Sequence, residues 1–139
     1  MGTECVKLLL DTHVWIWAFE GAEVLGTKCA RALRNSANER FVSPVSTLEI
    51  ARLVEGGRIN LACPLKQWIE TSFADLRLDT IPLDHVSAMD AYQLPPPGFH
   101  ADPVDRMLVA TARIHRCCLV TADERILKYP QVATMDARK

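Results

Sequence analysis

The sequence predicts an α/β fold with a parallel sheet covered on both faces, and three observations carry that reading. Apolar strand-like runs near Val6–Leu10, Phe41–Val42, Thr80–Leu83 and Cys118–Thr121 alternate with helical stretches, the order that builds parallel sheets through helical crossovers. In the first run Leu8, Leu9 and Leu10 follow one another without inward–outward alternation, which suits a strand buried on both faces. Acids then stand just past two of the runs, LLLD at Asp11 and LVTAD at Asp123, at the carboxyl edge where open α/β sheets bind ligands.

With 139 residues the chain is long enough for one domain with a substantial core, expected over 1–139. Its 49% hydrophobic and 24% charged content fits a folded protein. No apolar stretch reaches the ~18 residues of a membrane span. The start also lacks a basic segment followed by a long apolar region and a cleavage site. A cytoplasmic location without membrane association is therefore expected. The five cysteines, Cys5, Cys29, Cys63, Cys117 and Cys118, are odd in number and form no CxxC pair. That argues against a disulfide framework or a zinc site and for buried free thiols. A net charge of −1 is not the basic balance of a protein that holds nucleic acid by charge alone.

In chain order, His13–Phe19 follows the first strand and is apolar all round as a helix, so it is buried or faces a partner. Core packing and a subunit surface are both open for Trp15 and Trp17. Gly21 and Gly26 bracket a turn before a helix over Lys28–Ala37. Ser43-Pro44 leads from the second strand into a helix from Val45 to Glu55, which Gly56-Gly57 ends. An amphipathic helix over Leu65–Leu76 follows Pro64, and Asp84 caps a helix running to Gln93. Leu94–Gly98, LPPPG, is neither helix nor central strand, because proline lacks a donor and restricts its neighbour. Pro103 is well placed as the first residue of a helix to His115. Asp123 opens a short helix, and Val132–Met135 is a candidate last strand.

Four acids stand out: Asp11, Glu49, Asp105 and Asp123. Each lies near a helix start, where structural carboxylates also gather. Asp11 is a candidate N-cap, Ser46–Glu49 and Thr121–Glu124 have capping-box spacing, and Asp105 sits favourably against a helix dipole behind a capping Asp102. Singly, each reads more readily as structural than as catalytic. Jointly they do not: in a parallel α/β unit all four emerge at the same carboxyl edge. Unpartnered carboxylates brought together repel, and a divalent cation relieves the repulsion. Oxygen ligands without cysteine favour Mg²⁺ or Mn²⁺. Such a site activates water and stabilises charge at a phosphoryl centre, so phosphodiester hydrolysis follows. Thr12 and Thr121 flank the first and last acids and are candidates to orient a carboxylate or a water, with strand-end capping equally open. His13 reads as structural, pointing away. His100, in the loop before Asp102, reads as solvated. Arg106, beside Asp105, is open between pairing with an acid and meeting a phosphate.

On these residues the chain resembles the PIN-domain ribonucleases, and among them the VapC-type toxins of toxin–antitoxin pairs. LLLDTHVWIWAFEG is similar to the family's opening and FVSPVSTLEIARLVEGGRI to its second acidic segment. LPPPGFHADPVDRMLVATAR is similar to a subgroup's third segment and LVTADERI to the fourth. The likeness runs almost end to end, and four segments in order at family spacing are far more specific than any one. It implies a three-layer α/β/α sandwich with a central, mainly parallel sheet and endonucleolytic cleavage of RNA. It implies Mg²⁺ or Mn²⁺ held by Asp11, Glu49, Asp105 and Asp123, with Asp102 a further acid of less defined role. It also implies a homodimer, a small antitoxin whose tail crosses the active-site groove, and higher toxin–antitoxin assembly. Leu48 stands where relatives often carry tryptophan, a packing change.

Setting the four acids aside leaves 13 acidic residues of the 17 against 16 basic ones. Arg52, Arg58, Arg106, Arg113, Arg116, Arg125 and Lys128 are then the candidate phosphate contacts. The small overall charge suggests recognition of RNA shape; cleavage indifferent to unfolding of the RNA would argue against it. A phosphoacceptor receiver domain needs an acidic pair after the first strand and a late lysine, and a dehalogenase-type phosphatase needs a second acid where His13 stands. Neither pattern is met. A PIN-like module that binds RNA or protein without cleaving is the remaining alternative.

Overall fold

In a computed structural model that describes residues 6–99 and 102–139, five parallel strands form one sheet in the order β3-β2-β1-β4-β5. The strands are β1 (Lys7–Leu10), β2 (Glu39–Val42), β3 (Leu78–Thr80), β4 (Cys118–Thr121) and β5 (Thr134–Asp136). Helices α1 (Thr12–Glu20) and α2 (Thr27–Arg34) lead from β1 to β2, and α3 (Pro44–Glu55) and α4 (Leu65–Leu76) from β2 to β3. The chain then returns across the sheet through α5 (His85–Asp90) and α6 (Pro103–His115) to β4, and α7 (Glu124–Lys128) joins β4 to β5. The strand order therefore reverses between β1 and β4, which pair directly with Leu10 opposite Val120.

Successive side chains of a strand point to opposite faces, and here both faces are dry. Leu8, Leu10 and Val120 join Val14, Trp15, Ile50 and Trp68 in a core cluster, whereas Leu9 and Leu119 join Leu108, Val109 and Ile126 in another. This is the three-layer α/β/α arrangement expected from the unbroken leucine run. Trp15 is fully buried, with its ring 5.5 Å from that of Trp68 and its indole N–H donating to Ser72 Oγ at 3.0 Å. Its place is the core. Trp17 is only half-buried, and its ring lies 6.0 Å from His13.

Element boundaries depart from expectation where local hydrogen bonding competes. The helix expected over Lys28–Ala37 ends at Arg34, because Asn35 turns extended and its side chain accepts from Ala37 N–H while Asn38 donates to Ala32 O. The third strand is Leu78–Thr80 rather than Thr80–Leu83: Ile81 N–H makes the last ladder bond, to Val42 O, and Pro82 has none to give. The helix after Asp84 stops at Asp90 because the following N–H groups tighten onto Met89 O and Asp90 O. The last strand lies later than expected, over Thr134–Asp136. The second strand begins earlier, at Glu39. Ser43, not Ser46, caps α3, and Asp123, not Thr121, caps α7. Cys29, Cys63, Cys117 and Cys118 are free thiols; burial pushes Cys29 and Cys117 up to about 11. Cys5 and His100 lie outside the described residues. Among the described residues no helix is long and apolar enough to cross a membrane.

Candidate metal centre

The point where strand order reverses leaves a crevice beyond the carboxyl ends of β1 and β4, the place where such sheets bind ligands. A pocket of about 360 Å³ lies there, lined by Asp11, Glu49, Asp102, Asp105 and Asp123 together with His13, Trp17 and Arg125. The four acids singled out by the sequence thus share one cavity with the fifth, Asp102. A larger cleft, about 960 Å³, opens near the amino ends of β1 and β4 beside Lys7, Arg113 and Arg116. Among the described residues no carboxylate lines it.

Asp11 follows β1 directly and caps α1. Its Oδ1 accepts from Thr12 N–H at 2.7 Å and its Oδ2 from the Thr121 hydroxyl at 2.6 Å. Burial pushes its carboxyl above the usual range, opposed by these two hydrogen bonds and reinforced by the Glu49 charge. Thr121 also accepts from Asp123 N–H at 3.0 Å, so one buried hydroxyl ties together the ends of β1 and β4. The Thr12 hydroxyl points elsewhere, donating to Ser46 Oγ at 3.0 Å and joining α1 to α3. It is the Thr12 backbone, not its side chain, that meets the carboxylate.

Glu49 lies in the second turn of α3, half-buried, and faces the pocket. Asp102 caps α6 by accepting from Asp105 N–H at 2.9 Å. Asp105, in the first turn of α6, has a side chain only 14% exposed. Burial, followed by the charges of Asp102, Asp11 and Asp123, pushes it up to about 7, and Arg125 works against the rise. Asp123 caps α7, accepting at Oδ1 from Arg125 N–H at 2.8 Å. Burial raises its carboxyl, but the Arg125 side chain and the capping bonds prevail and hold it below the usual range. The Arg125 guanidinium reaches Asp123 Oδ2 at 3.1 Å and Asp105 Oδ2 at 3.4 Å.

Two residues depart from expectation. His13, expected to point away, lines the acid pocket beside Trp17, because α1 turns its apolar residues Val14, Trp15 and Ile16 inward and leaves His13 outside. Arg106 meets neither an acid nor open groove. It donates to Ala91 O and Phe99 O at 3.1 and 2.7 Å and lies over the Tyr92 ring, holding the proline-rich loop to α6. Ser46 and Arg125 are the residues least visible in the sequence: Ser46 has the spacing of a helix cap, and Arg125 is one of seven candidate cations.

Residues 8–132 match the PIN domain family. The chain is 34% identical over 130 residues to Ribonuclease VapC22 of Mycobacterium tuberculosis, covering 92% of this chain and 97% of that one. The chain belongs to the PIN domain family. Solved structures with the same PIN fold include VapBC-1 from nontypeable Haemophilus influenzae, with a TM-score of 0.66 at 14% identity over 96% of this chain and 100% of that chain. DNA-bound VapBC from Salmonella typhimurium matches with a TM-score of 0.65 at 20% identity, covering 94% and 98%.

The carboxylates of this PIN site fit a hard divalent cation in kind: they offer oxygen donors, and Asp102, Asp11 and Asp123 lie close enough to raise Asp105. Among the described residues no three of them are drawn onto one metal position. Asp105 and Asp123 instead share the cation of Arg125.

Proposed function

We propose that this protein is a metal-dependent endoribonuclease toxin, one PIN-like unit over residues 1–139, that hydrolyses RNA phosphodiester bonds and is neutralised by a small antitoxin. The observation that carries the reading is the convergence of Asp11, Glu49, Asp105 and Asp123, from four separate segments, on one pocket at the switch point of the sheet. The likeness to a curated VapC ribonuclease supports the activity, and that to solved toxin–antitoxin complexes supports the antitoxin. A homodimer and higher toxin–antitoxin assembly belong to the same proposal.

Asp11, Glu49, Asp105 and Asp123 are the proposed metal-holding and catalytic acids, with Mg²⁺ or Mn²⁺ as the ion. A divalent ion there supplies a polarised water and offsets negative charge gathering on the phosphoryl group. The chain's own part is to fix its ligands in advance. Thr121 and the Thr12 N–H hold both oxygens of Asp11, so the carboxylate keeps one orientation and offers its remaining lone pairs to the pocket. Burial around Asp11 and Asp105 strengthens electrostatic interactions there. Asp102 anchors the start of α6 and so sets the height of Asp105.

Incubation of the purified chain with RNA and Mn²⁺ or Mg²⁺, with a chelator as control, tests the reading. Cleavage that the chelator stops, and that Asp11→Asn removes while circular dichroism stays unchanged, is expected. Full activity of Asp11→Asn would overturn the assignment, and a folded, metal-loaded protein that leaves RNA intact would favour a PIN-like binding module.

A further inference from the structure

We propose that Arg125 and Lys128 form a phosphate-holding subsite beside the acid pocket, so that the RNA strand runs from the carboxylates over α7 into the neighbouring cavity. The inference rests on the RNA reading for the identity of the polyanion. The pocket that would receive the scissile phosphate is lined by five acids and one arginine, and a polyanion approaching it is repelled unless cations flank the entrance.

The structure sorts the seven candidate cations. Arg106 is spent on Ala91 O and Phe99 O. Arg113 pairs with Asp90 and donates to Gln131 O, and with Arg116 it lines the cleft at the opposite edge of the sheet. Arg52 and Arg58 lie in the last turn of α3 and just beyond it, and neither lines the acid pocket. Arg125 does line it, and also lines a second cavity of about 280 Å³ bounded by Pro97, Gly98, Phe99, Lys128 and Tyr129. Among the described residues no carboxylate borders this second cavity, and its charged side chains are Arg125 and Lys128.

Arg125 and Lys128 stand three residues apart on α7, neighbours on one face with Cβ atoms about 5–6 Å apart. Lys128 is exposed and has no ion pair among the described residues. Glu124, the acid of α7 that faces it in spacing, is taken by Arg138 at 2.8 Å. Arg125 thus stands at the boundary between negative and positive cavities, and Lys128 is the cation beyond it.

The test is equilibrium binding of a short labelled single-stranded oligoribonucleotide to the full chain, by fluorescence anisotropy in Ca²⁺ over rising KCl, with the RNA confirmed intact on gels. Removing one cation that neutralises a phosphate makes the slope of log affinity against log salt shallower by about 0.7. Lys128→Gln is expected to show that change and Arg125→Gln with Lys128→Gln roughly twice as much. Lys128→Arg should restore the wild-type slope, and Arg116→Gln, at the opposite edge, should leave it unchanged. An unchanged slope for Lys128→Gln, an equal change for Arg116→Gln, or no RNA binding by the wild type would overturn the subsite. So would an unchanged slope joined to failure to retain a co-expressed antitoxin, which would assign the cations to that protein. Wild-type cleavage in Mn²⁺ is scored separately: slopes as expected without cleavage would sink the nuclease reading and leave the subsite standing.

Discussion

Replacing Asp105 by Asn is expected to make the metal-free protein more stable and inactive at once. The side chain is 14% exposed, and burial with three neighbouring acids raises it from an ordinary 3.8 to about 7. Below pH 3.8 both folded and unfolded chains carry the proton. Between there and pH 7 the folded chain binds more proton than the unfolded one, so stability falls as pH rises, and above pH 7 the loss is complete. At about 1.4 kcal/mol per pH unit the ionised carboxylate costs the fold on the order of 4 kcal/mol. Asn carries no charge and avoids that cost. It forgoes only the long interaction with a 56% exposed Arg125, worth less than about 1 kcal/mol. In chelator at about pH 8, Asp105→Asn should therefore gain roughly 2–4 kcal/mol, read as a Tm rise of about 5–15 °C. The gap should be mostly closed by about pH 4 and vanish below pH 3.8, where the wild-type residue is protonated in both states. Mn²⁺ should raise the wild-type Tm more than that of the variant, since ligand binding to the folded state stabilises it by mass action. Calorimetry at the two pH values decides the matter. Equal or lower stability of Asp105→Asn at high pH, or a gap that persists at low pH, would refute the charge-crowding account of this pocket.

Two further substitutions probe the acid site and the packing of residues 137–139. Thr121→Val removes the donor to Asp11 Oδ2 and the acceptor for Asp123 N–H. It should cost about 1–3 kcal/mol in urea melts and lower cleavage at least about tenfold, with Thr121→Ser recovering most of both. Gly26 caps α2 where the chain end crosses it: a Cβ there would lie 2.4 Å from backbone atoms of Arg138 and Lys139. Gly26→Ala should displace residues 138–139, break the Gly26 N–H to Ala137 O bond, and lower stability by about 1–3 kcal/mol in thermal melts.

Much of the fold was legible because its signals are local and consistent. The Leu8–Leu10 run needs a sheet buried on both faces, and both core clusters confirm one. Pro64 and Pro103 sit where helices begin, and α4 and α6 start and stop where the pattern places them. The misplaced boundaries are those settled by side chains competing for backbone groups, as at Asn35, or by where a parallel neighbour runs out, as at Pro82. The coming together of the acids was legible because parallel topology alone delivers strand ends and helix starts to one edge. The partners of each carboxylate were not. That Thr121 meets Asp11 across a separation of 110 residues, or that Arg125 reaches back over Asp123 to Asp105, depends on the register of β4 against β1 and on one rotamer.

The structure also removes an opposition that the sequence invites, between acids that cap helices and acids that do chemistry. Asp11, Asp102 and Asp123 are all caps, and all three line the pocket. A carboxylate has more acceptor capacity than one cap consumes. In Asp11 and Asp123 the cap engages Oδ1, leaving Oδ2 to Thr121 and Arg125 respectively. Capping fixes the carboxylate at the helix start, and the parallel sheet brings those helix starts to one edge. Burial then raises two of the acids, Asp11 at the end of β1 and Asp105, which caps nothing and lies among three other carboxylates. Burial with crowding thus pushes Asp105 to about 7, while Asp123, tied down by Arg125, is held below the usual range. Because Asp105 holds no helix start, it is the raised acid whose neutralisation should relieve the fold without undoing a cap.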